Sequence, residues 1–181
     1  MTAPPGPAPQ VSRAARTARP RGYAANADRS APIPAKCVFC RLLVGASDSA
    51  APHDLPASFV YRDEVCSAFM DVQPVNAGHV LVVPNRHAPD LASLGPQDGA
   101  HLFQVGQRLA AALRRSSLRC EGVNLFLADG APAGQEVFHV HLHVIPRYAG
   151  DGFGFTFGPG YARLPPRQEL EHAAALIRQA L

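Results

Sequence analysis

Residues 138–147 of this 181-residue chain read FHVHLHVIPR, and this stretch decides the fold. Histidine alternates with an aliphatic residue throughout its central part. Because successive side chains of a strand point to opposite faces, the three histidines are predicted to share one face and the three aliphatic residues to enter the core on the other. These are His139, His141 and His143 on one face, and Val140, Leu142 and Val144 on the other. The pattern predicts a strand over 138–145.

Patterns upstream of this strand predict further β-structure. β-Prone runs at 59–61 and 65–70 are typical of an antiparallel hairpin. Residues 79–83 predict a buried strand that stops at Pro84, because proline removes a ladder donor. A further strand is predicted over 123–128. Helices are expected to cover one face of the resulting sheet.

Two helices are predicted from apolar periodicity. The first is expected to be capped by Ser93 and to end near Arg119, and the second is expected to begin near Pro166. Their apolar stripes are Leu102, Val105, Leu109 and Leu113 in the first helix, and Leu170, Ala173, Ile177 and Leu181 in the second. Strands, then a helix, then two strands favour an α+β fold with a mainly antiparallel sheet.

Composition and charge limit the class of protein. Hydrophobic residues make up 47% and charged residues 17% of the chain, and no apolar run approaches the roughly 18 residues of a membrane span. Residues 1–35 hold five arginines and one aspartate among many Ala and Pro residues, and are predicted to be a disordered tail. Residues 36–181 hold 12 basic and 13 acidic residues, so a face that binds nucleic acid is not expected. We expect neither a nucleic-acid nor a membrane partner.

The four cysteines are too few for a disulfide scaffold, and the chain opens with no apolar signal segment, so a cytoplasmic location is predicted. Cys37 and Cys40 are two residues apart and can reach the same tetrahedral metal ion. A redox dithiol is the other functional interpretation, although no thioredoxin-like βαβ pattern surrounds the pair. Two ordinary thiols would give the same spacing.

The row of histidines is interpreted as a functional site, because neighbouring protonated imidazoles repel and packing needs no such row. Three other motifs accompany it in order: AFMD at 68–71, GHVLVVP at 78–84 with a later His87, and Gly134-Gln135 just upstream of the row. Together these motifs resemble the histidine triad (HIT) superfamily of nucleotide hydrolases and transferases, in its bacterial zinc-binding branch. The resemblance covers residues 36–148.

The resemblance implies a HIT-like fold, with about five mainly antiparallel strands, a central helix and a C-terminal helix. It implies a HIT domain over 36–181, made of a motif-bearing core at 36–148 and an extension with the second helix at 149–181. It also implies a homodimer and a purine nucleotide substrate, with no organic cofactor.

Catalytic roles follow from the same resemblance. His141 would attack the α-phosphorus through one ring nitrogen, while a backbone carbonyl near His139 holds the other ring N–H. Water would then resolve a covalent nucleotidyl-histidine. His143 would donate to the phosphoryl oxygens, and the turn at Gly134 would bring backbone N–H groups to the same charge.

Substrate contacts are also implied by the resemblance. The base would be walled by Val38, Phe39, Leu42, Phe69 and His79, the ribose would be held by Asp71, and the phosphate would be held by Asn124, Gly134 and Gln135. For Phe39, Leu42 and Phe69 ordinary core packing is an equal interpretation, and Asp71 alternatively begins a turn. Ala128 stands where many relatives have Asn or Gln, and Glu136 stands where Ser or Thr often follows the Gly-Gln pair. We hypothesise that Asn124 or Gln135 compensates.

The resemblance further implies structural zinc held by Cys37, Cys40, His87 and His139, a closed set that would remove His139 from acid–base work. The expected function is cleavage of a nucleoside 5′-monophosphate from its leaving group, as in an adenosine phosphoramidate. Three alternatives stay open: a diadenosine polyphosphate hydrolase, a non-catalytic nucleotide-binding module, and a hydrolase in which the histidine row binds a catalytic metal.

Overall fold

A computed structural model describes residues 36–45 and 57–181, so the predicted tail at 1–35 lies outside the described residues. Three helices and five strands follow one another along the described chain. In chain order they are α1 (Val38–Leu43), β1 (Phe59–Arg62), β2 (Cys66–Met70), β3 (Val80–Pro84), α2 (Pro96–Arg115), β4 (Gly122–Phe126), β5 (Leu142–Arg147) and α3 (Arg167–Ala180). A single 3₁₀ turn, Ala131–Ala133, lies between β4 and β5.

The strands form one sheet in the order β1-β2-β3-β5-β4, with every neighbouring pair antiparallel. This confirms the predicted α+β class and the hairpin near residue 60. Among the described residues, no helix combines the length and apolar character that crossing a bilayer requires.

Each face of the sheet has its own apolar cluster. On one face α2 packs against β2, β3 and β5, and its predicted stripe residues Leu102, Val105 and Leu113 are buried there, with Leu109 partly buried against them. A smaller cluster of Phe39, Phe69, Leu81 and Val83 lies on the other face, where α1 packs. The histidines project on this second face, because residues that alternate along a strand separate to opposite sides.

The predicted strand over 138–145 is wrong at both ends, since β5 runs over Leu142–Arg147. Before Leu142 the backbone bonds outside the β3 ladder, with the Val140 N–H donating to the Ala88 carbonyl at 2.7 Å. The alternation nevertheless persists, because Val140 is buried in the same cluster as Leu142 and Val144. His139 and His141 therefore lie in an extended approach to the strand, and His143 lies within it.

Both ends of α2 differ from the predicted ones. Ser93 does not cap α2: its N–H donates to Asp90 Oδ1 in a separate turn, and Gly95 is the N-cap. The helix ends at Arg115 rather than Arg119, because Ser116 leaves the helical conformation and its hydroxyl donates to the Leu113 carbonyl. The helix α1 was not anticipated from the sequence.

The helix α3 begins where it was predicted but does not cover the sheet. Leu170, Ile177 and Leu181 of its apolar stripe are 53%, 63% and 95% exposed. The expectation that both helices cover one face is therefore wrong for α3. Its stripe faces solvent within the described chain.

Candidate active site

The orientation of His141 is fixed by one backbone group. Its Nδ1 lies 2.7 Å from the carbonyl oxygen of His139, and the residue is 6% exposed. Since a carbonyl only accepts, Nδ1 must carry the proton. In the neutral ring, Nε2 then holds the lone pair, so this nitrogen is the one able to act as a nucleophile.

A chain of hydrogen bonds also fixes the tautomer of His143. The Val75 N–H donates to His79 Nδ1 at 3.2 Å, so the His79 proton is on Nε2. That Nε2–H lies 2.9 Å from His143 Nδ1 and donates to it. His143 therefore carries its own proton on Nε2, where it can donate to a bound anion. The rings of His141 and His143 are 4.8 Å apart between centroids.

The resemblance implied that His79 contacts the base, but the structure places its ring beside His143. The side chain is 3% exposed and its ring lies beside His143, with centroids 5.1 Å apart. Asp71 Oδ2 is 3.4 Å from His79 Nδ1, while Asp71 Oδ1 accepts the Gln73 N–H at 2.9 Å. The interpretation of Asp71 as the start of a turn is thus correct for one of its oxygens.

Burial favours the neutral form of His143 and of His79. It lowers the pKa of His143 to about 4, with a smaller contribution from the neighbouring His141 and His79. Burial likewise lowers the pKa of His79, against the opposing effect of Asp71. At neutral pH, His143 is therefore a neutral hydrogen-bond donor.

Acid is expected to destabilise the fold through His143. An unfolded histidine titrates near pH 6.5, so between about pH 6.5 and pH 4 the unfolded chain binds a proton that the folded chain does not. The contribution of His143 to stability should be constant above this window and fall by up to about 3 kcal/mol across it. Urea unfolding at pH 4.5 to 7.5 measures the slope, and His143→Gln should reduce it. An equally steep slope in the variant would contradict this origin.

Two of the predicted base-wall residues, Phe39 and Phe69, form a small aromatic group beside His141. Phe39 packs edge-on against His141 and Phe69, with centroids 5.3 and 5.5 Å away. Phe39 and Phe69 are 7% and 3% exposed, whereas Val38 and Leu42 are half-buried. Both phenylalanines therefore belong to the buried cluster on this face, and Phe39 also contacts the His141 ring.

Most polar groups of the turn around Gly134, just before the histidines, already have hydrogen-bond partners within the protein. Gln135 accepts the Gly130 N–H and donates to the carbonyls of Pro89 and Val137, so its amide braces the loop. The N–H groups of Gly134 and Gln135 donate to the carbonyls of Ala131 and Gly130. Within the described part of the chain, the Glu136 N–H donates to no backbone carbonyl, so it is the better candidate donor for a phosphate.

Asn124 lies on the histidine face of β4, but its oxygen is already engaged. Arg147 donates to Asn124 Oδ1 at 3.1 Å and holds Asp151 through two further bonds of 2.6 and 2.7 Å. Arg147 and Asp151 were not among the predicted site residues. The available signal was the period of two that places His143, Ile145 and Arg147 on one face of β5.

A second cluster adjoins the active site and contains Cys37, Cys40, His87 and His139. His139 Nδ1 lies 3.4 Å from Cys37 Sγ, 3.5 Å from Cys40 Sγ and 3.4 Å from His87 Nδ1. Cys40 Sγ lies 3.4 Å from His87 Nδ1. In a zinc tetrahedron the bond lengths require about 3.6 Å between sulfur and nitrogen and about 3.4 Å between two nitrogens. The donor set and its spacing therefore fit zinc.

The pKa values of Cys40 and His139 are also compatible with a bound metal ion. Burial and the adjacent Cys37 raise the pKa of the Cys40 thiol to about 12, so a thiolate there requires a compensating cation. Burial lowers the pKa of His139 to about 4, which leaves a neutral imidazole. Its Nε2–H donates to the Pro84 carbonyl at 2.9 Å, as the outer nitrogen of a metal-bound histidine usually does.

The histidine row is divided between two groups. His139 belongs to the cysteine cluster, and His143 bonds to His79. Within the described residues His141 belongs to no group of metal-ligating side chains. This arrangement disfavours the alternative in which the three histidines bind one catalytic metal.

Comparison with known proteins agrees with this geometry. Residues 53–150 match the model of the HIT domain. The chain belongs to the HIT family. An uncharacterized HIT-like protein of Borreliella burgdorferi is 39% identical over 123 residues, 67% of this chain and 83% of that protein. The adenylylsulfatase HINT3 of Arabidopsis thaliana is 32% identical over 111 residues, 61% of this chain and 52% of that protein.

One solved structure of similar fold is described as containing zinc. It is the crystal structure of a Zn-bound histidine triad family protein from Mycobacterium smegmatis, with a TM-score of 0.59 and 38% identity. The match covers 81% of this chain and 98% of that chain. The predicted HIT-like fold is confirmed.

Proposed function

We propose that this HIT protein is a nucleotide hydrolase or nucleotidyl transferase that cleaves a nucleoside 5′-monophosphate from its leaving group. The observation that carries the proposal is the bond from His141 Nδ1 to the His139 carbonyl, which leaves Nε2 as the nucleophile. Attack by Nε2 forms an N–P bond and breaks the bond from the α-phosphorus to the leaving group, which departs with the electron pair and takes up one proton, matched by the proton that water loses in the next step. Water then cleaves that bond and returns His141 to its starting state.

The surrounding groups supply electrostatic stabilisation. His143 Nε2–H and the Glu136 N–H would donate to the phosphoryl oxygens, as phosphoryl transfer relies on positioned donors. Phe39, Phe69, Val38 and Leu42 would contact the base, and Asp71 the ribose. The activity named for the Arabidopsis relative, adenylylsulfatase, also supports an adenylyl substrate.

Competition kinetics would identify the leaving group. We expect an adenosine phosphoramidate to be hydrolysed with a higher kcat/KM than a diadenosine polyphosphate, and we expect a base-stable adenylyl adduct on His141 by mass spectrometry. A higher kcat/KM for the dinucleotide would favour the polyphosphatase alternative. AMP binding without any adduct or turnover would favour the non-catalytic module.

We propose that His79 positions His143 rather than contacting the base. His79→Leu removes the donor to His143 Nδ1 and should lower kcat about 10- to 100-fold while KM changes little, because an orienting partner is lost. His79→Gln keeps an N–H at a similar distance from the backbone and should recover most of the loss. Steady-state kinetics of both variants measure this. An increase in KM at unchanged kcat would instead support a base-wall role.

We propose that the Cys37, Cys40, His87 and His139 cluster holds one structural zinc ion. Bound there, zinc would supply a cross-link between α1, the end of β3 and the approach to β5. The two cysteine ligands must be thiolates, and all four cysteines are free, so we propose a reducing compartment such as the cytoplasm.

We propose that the chain forms a homodimer. β4 is an edge strand whose residues are all partly exposed, and the apolar stripe of α3 has no partner within the described chain. Association of two chains would cover these apolar surfaces, and large exposed apolar patches are rare in monomeric proteins. Light scattering should give twice the mass of one chain.

A further inference from the structure

His139 connects the cysteine cluster to the proposed nucleophile through a single residue. Its Nδ1 lies among the sulfur and nitrogen atoms of the cluster, and its Nε2–H donates to the Pro84 carbonyl. Its own carbonyl accepts the His141 Nδ1–H at 2.7 Å. The residue is 0% exposed, so both connections are shielded from water.

The sheet does not hold the His139 carbonyl in place. The pairing of β3 with β5 begins at Val82 with Leu142, so residues 139–141 precede the ladder. Two backbone bonds anchor this segment: the His139 N–H donates to the Val137 carbonyl at 2.8 Å, and the Val140 N–H, in the same peptide unit as the His139 carbonyl, donates to the carbonyl of Ala88, the residue after His87. The carbonyl that orients His141 is therefore located by the cluster and by a backbone bond next to one of its ligands.

The cluster also fixes the position of Phe39, the aromatic residue that packs beside His141. The helix α1 has six residues, too few to be stable as an isolated helix. Cys37 is its N-cap residue and Cys40 lies within it, with Phe39 between them. Phe39 contacts both His139 and His141, with ring centroids 5.8 and 5.3 Å away.

We propose that Cys37, Cys40, His87 and His139 are positioning residues for catalysis: when they hold a metal ion, they fix the His139 carbonyl that keeps the His141 proton on Nδ1. This inference rests on the proposed function. When the metal is lost, His141 is free to exchange between its two neutral tautomers. A smaller fraction of the protein then presents Nε2 as a nucleophile, and Phe39 is less firmly held.

His87 offers the sharpest test, because it is a cluster ligand that has no contact with His141 among the described residues. His87→Ala removes one nitrogen ligand, whereas His87→Cys offers a sulfur ligand and keeps the number of ligands at four. Metal content, the ¹⁵N chemical shifts of the His141 ring and steady-state kinetics are measured on the full chain for both variants and the wild type.

We expect His87→Ala to lose its zinc, to show His141 as a mixture of tautomers, and to lose about 10- to 100-fold in kcat. His87→Cys should retain zinc, the single Nδ1–H tautomer and a kcat within a few-fold of the wild type. A folded, zinc-free His87→Ala with one His141 tautomer and unchanged kcat would overturn the proposal.

Wild-type protein treated with a chelator provides a second metal-free sample if His87→Ala does not fold. Loss of the whole sheet in both samples would also overturn the proposal, since the cluster would then support the fold in general. The tautomer measurement needs no turnover, so it separates this inference from the proposed function. If the wild type has no activity but its tautomer still depends on zinc, only the proposed function fails.

Discussion

Replacing His141 with alanine is expected to abolish the adenylyl adduct and to lower kcat by at least about 1,000-fold, because no other group can form the covalent intermediate. Of the three histidines in the row, only His141 has an Nε2 without a proton facing the site, since His139 lies in the cysteine cluster and His143 carries its proton on Nε2. Mass spectrometry after a base quench measures the adduct, and steady-state kinetics measure kcat.

A matched control comes from α3. His172→Ala removes an exposed histidine of α3 that is not part of the site, so both the adduct and kcat should be unchanged. We expect His141→Ala to keep AMP binding with a modest loss of affinity, because Phe69 and Asp71 are retained while Phe39 loses the His141 ring against which it packs. An adduct that persists in His141→Ala would assign the nucleophile to another residue.

Substituting Cys40 with alanine is expected to reduce the zinc content from about one ion per chain to near zero. Three ligands remain, and the lost thiolate is the buried member of the pair, with 3% of its surface exposed. Structural zinc sites contribute strongly to folding, so the thermal midpoint should also fall by several degrees. Elemental analysis and calorimetry measure the two effects.

Cys66 provides the control for this experiment. It is also a fully buried cysteine, and burial raises the pKa of its thiol to about 12, but it lies outside the zinc cluster. Cys66→Ala should lose some stability through its small cavity and keep its zinc. Equal zinc content in Cys40→Ala and the wild type would refute the proposed ligand set.

The sequence predicted the elements whose pattern is local. The alternation in residues 138–147 and the stripe of α2 gave the correct faces of the sheet and of the helix, because side-chain direction follows from position in the element. The ends of the elements were less predictable. β5 starts late because the Val140 N–H bonds to Ala88, which is 52 residues away in sequence.

The α+β class and the buried aliphatic row therefore followed from local patterns in the sequence, which also indicated the histidines and cysteines as candidate site residues. The resemblance already implied that His139 lies with Cys37 and Cys40, but the pairing of the His143 ring with His79 became visible only in the tertiary structure. The physical reason is that a ring's tautomer and pKa depend on hydrogen bonds and burial supplied by residues distant in sequence. Periodicity along one strand carries no information about those residues.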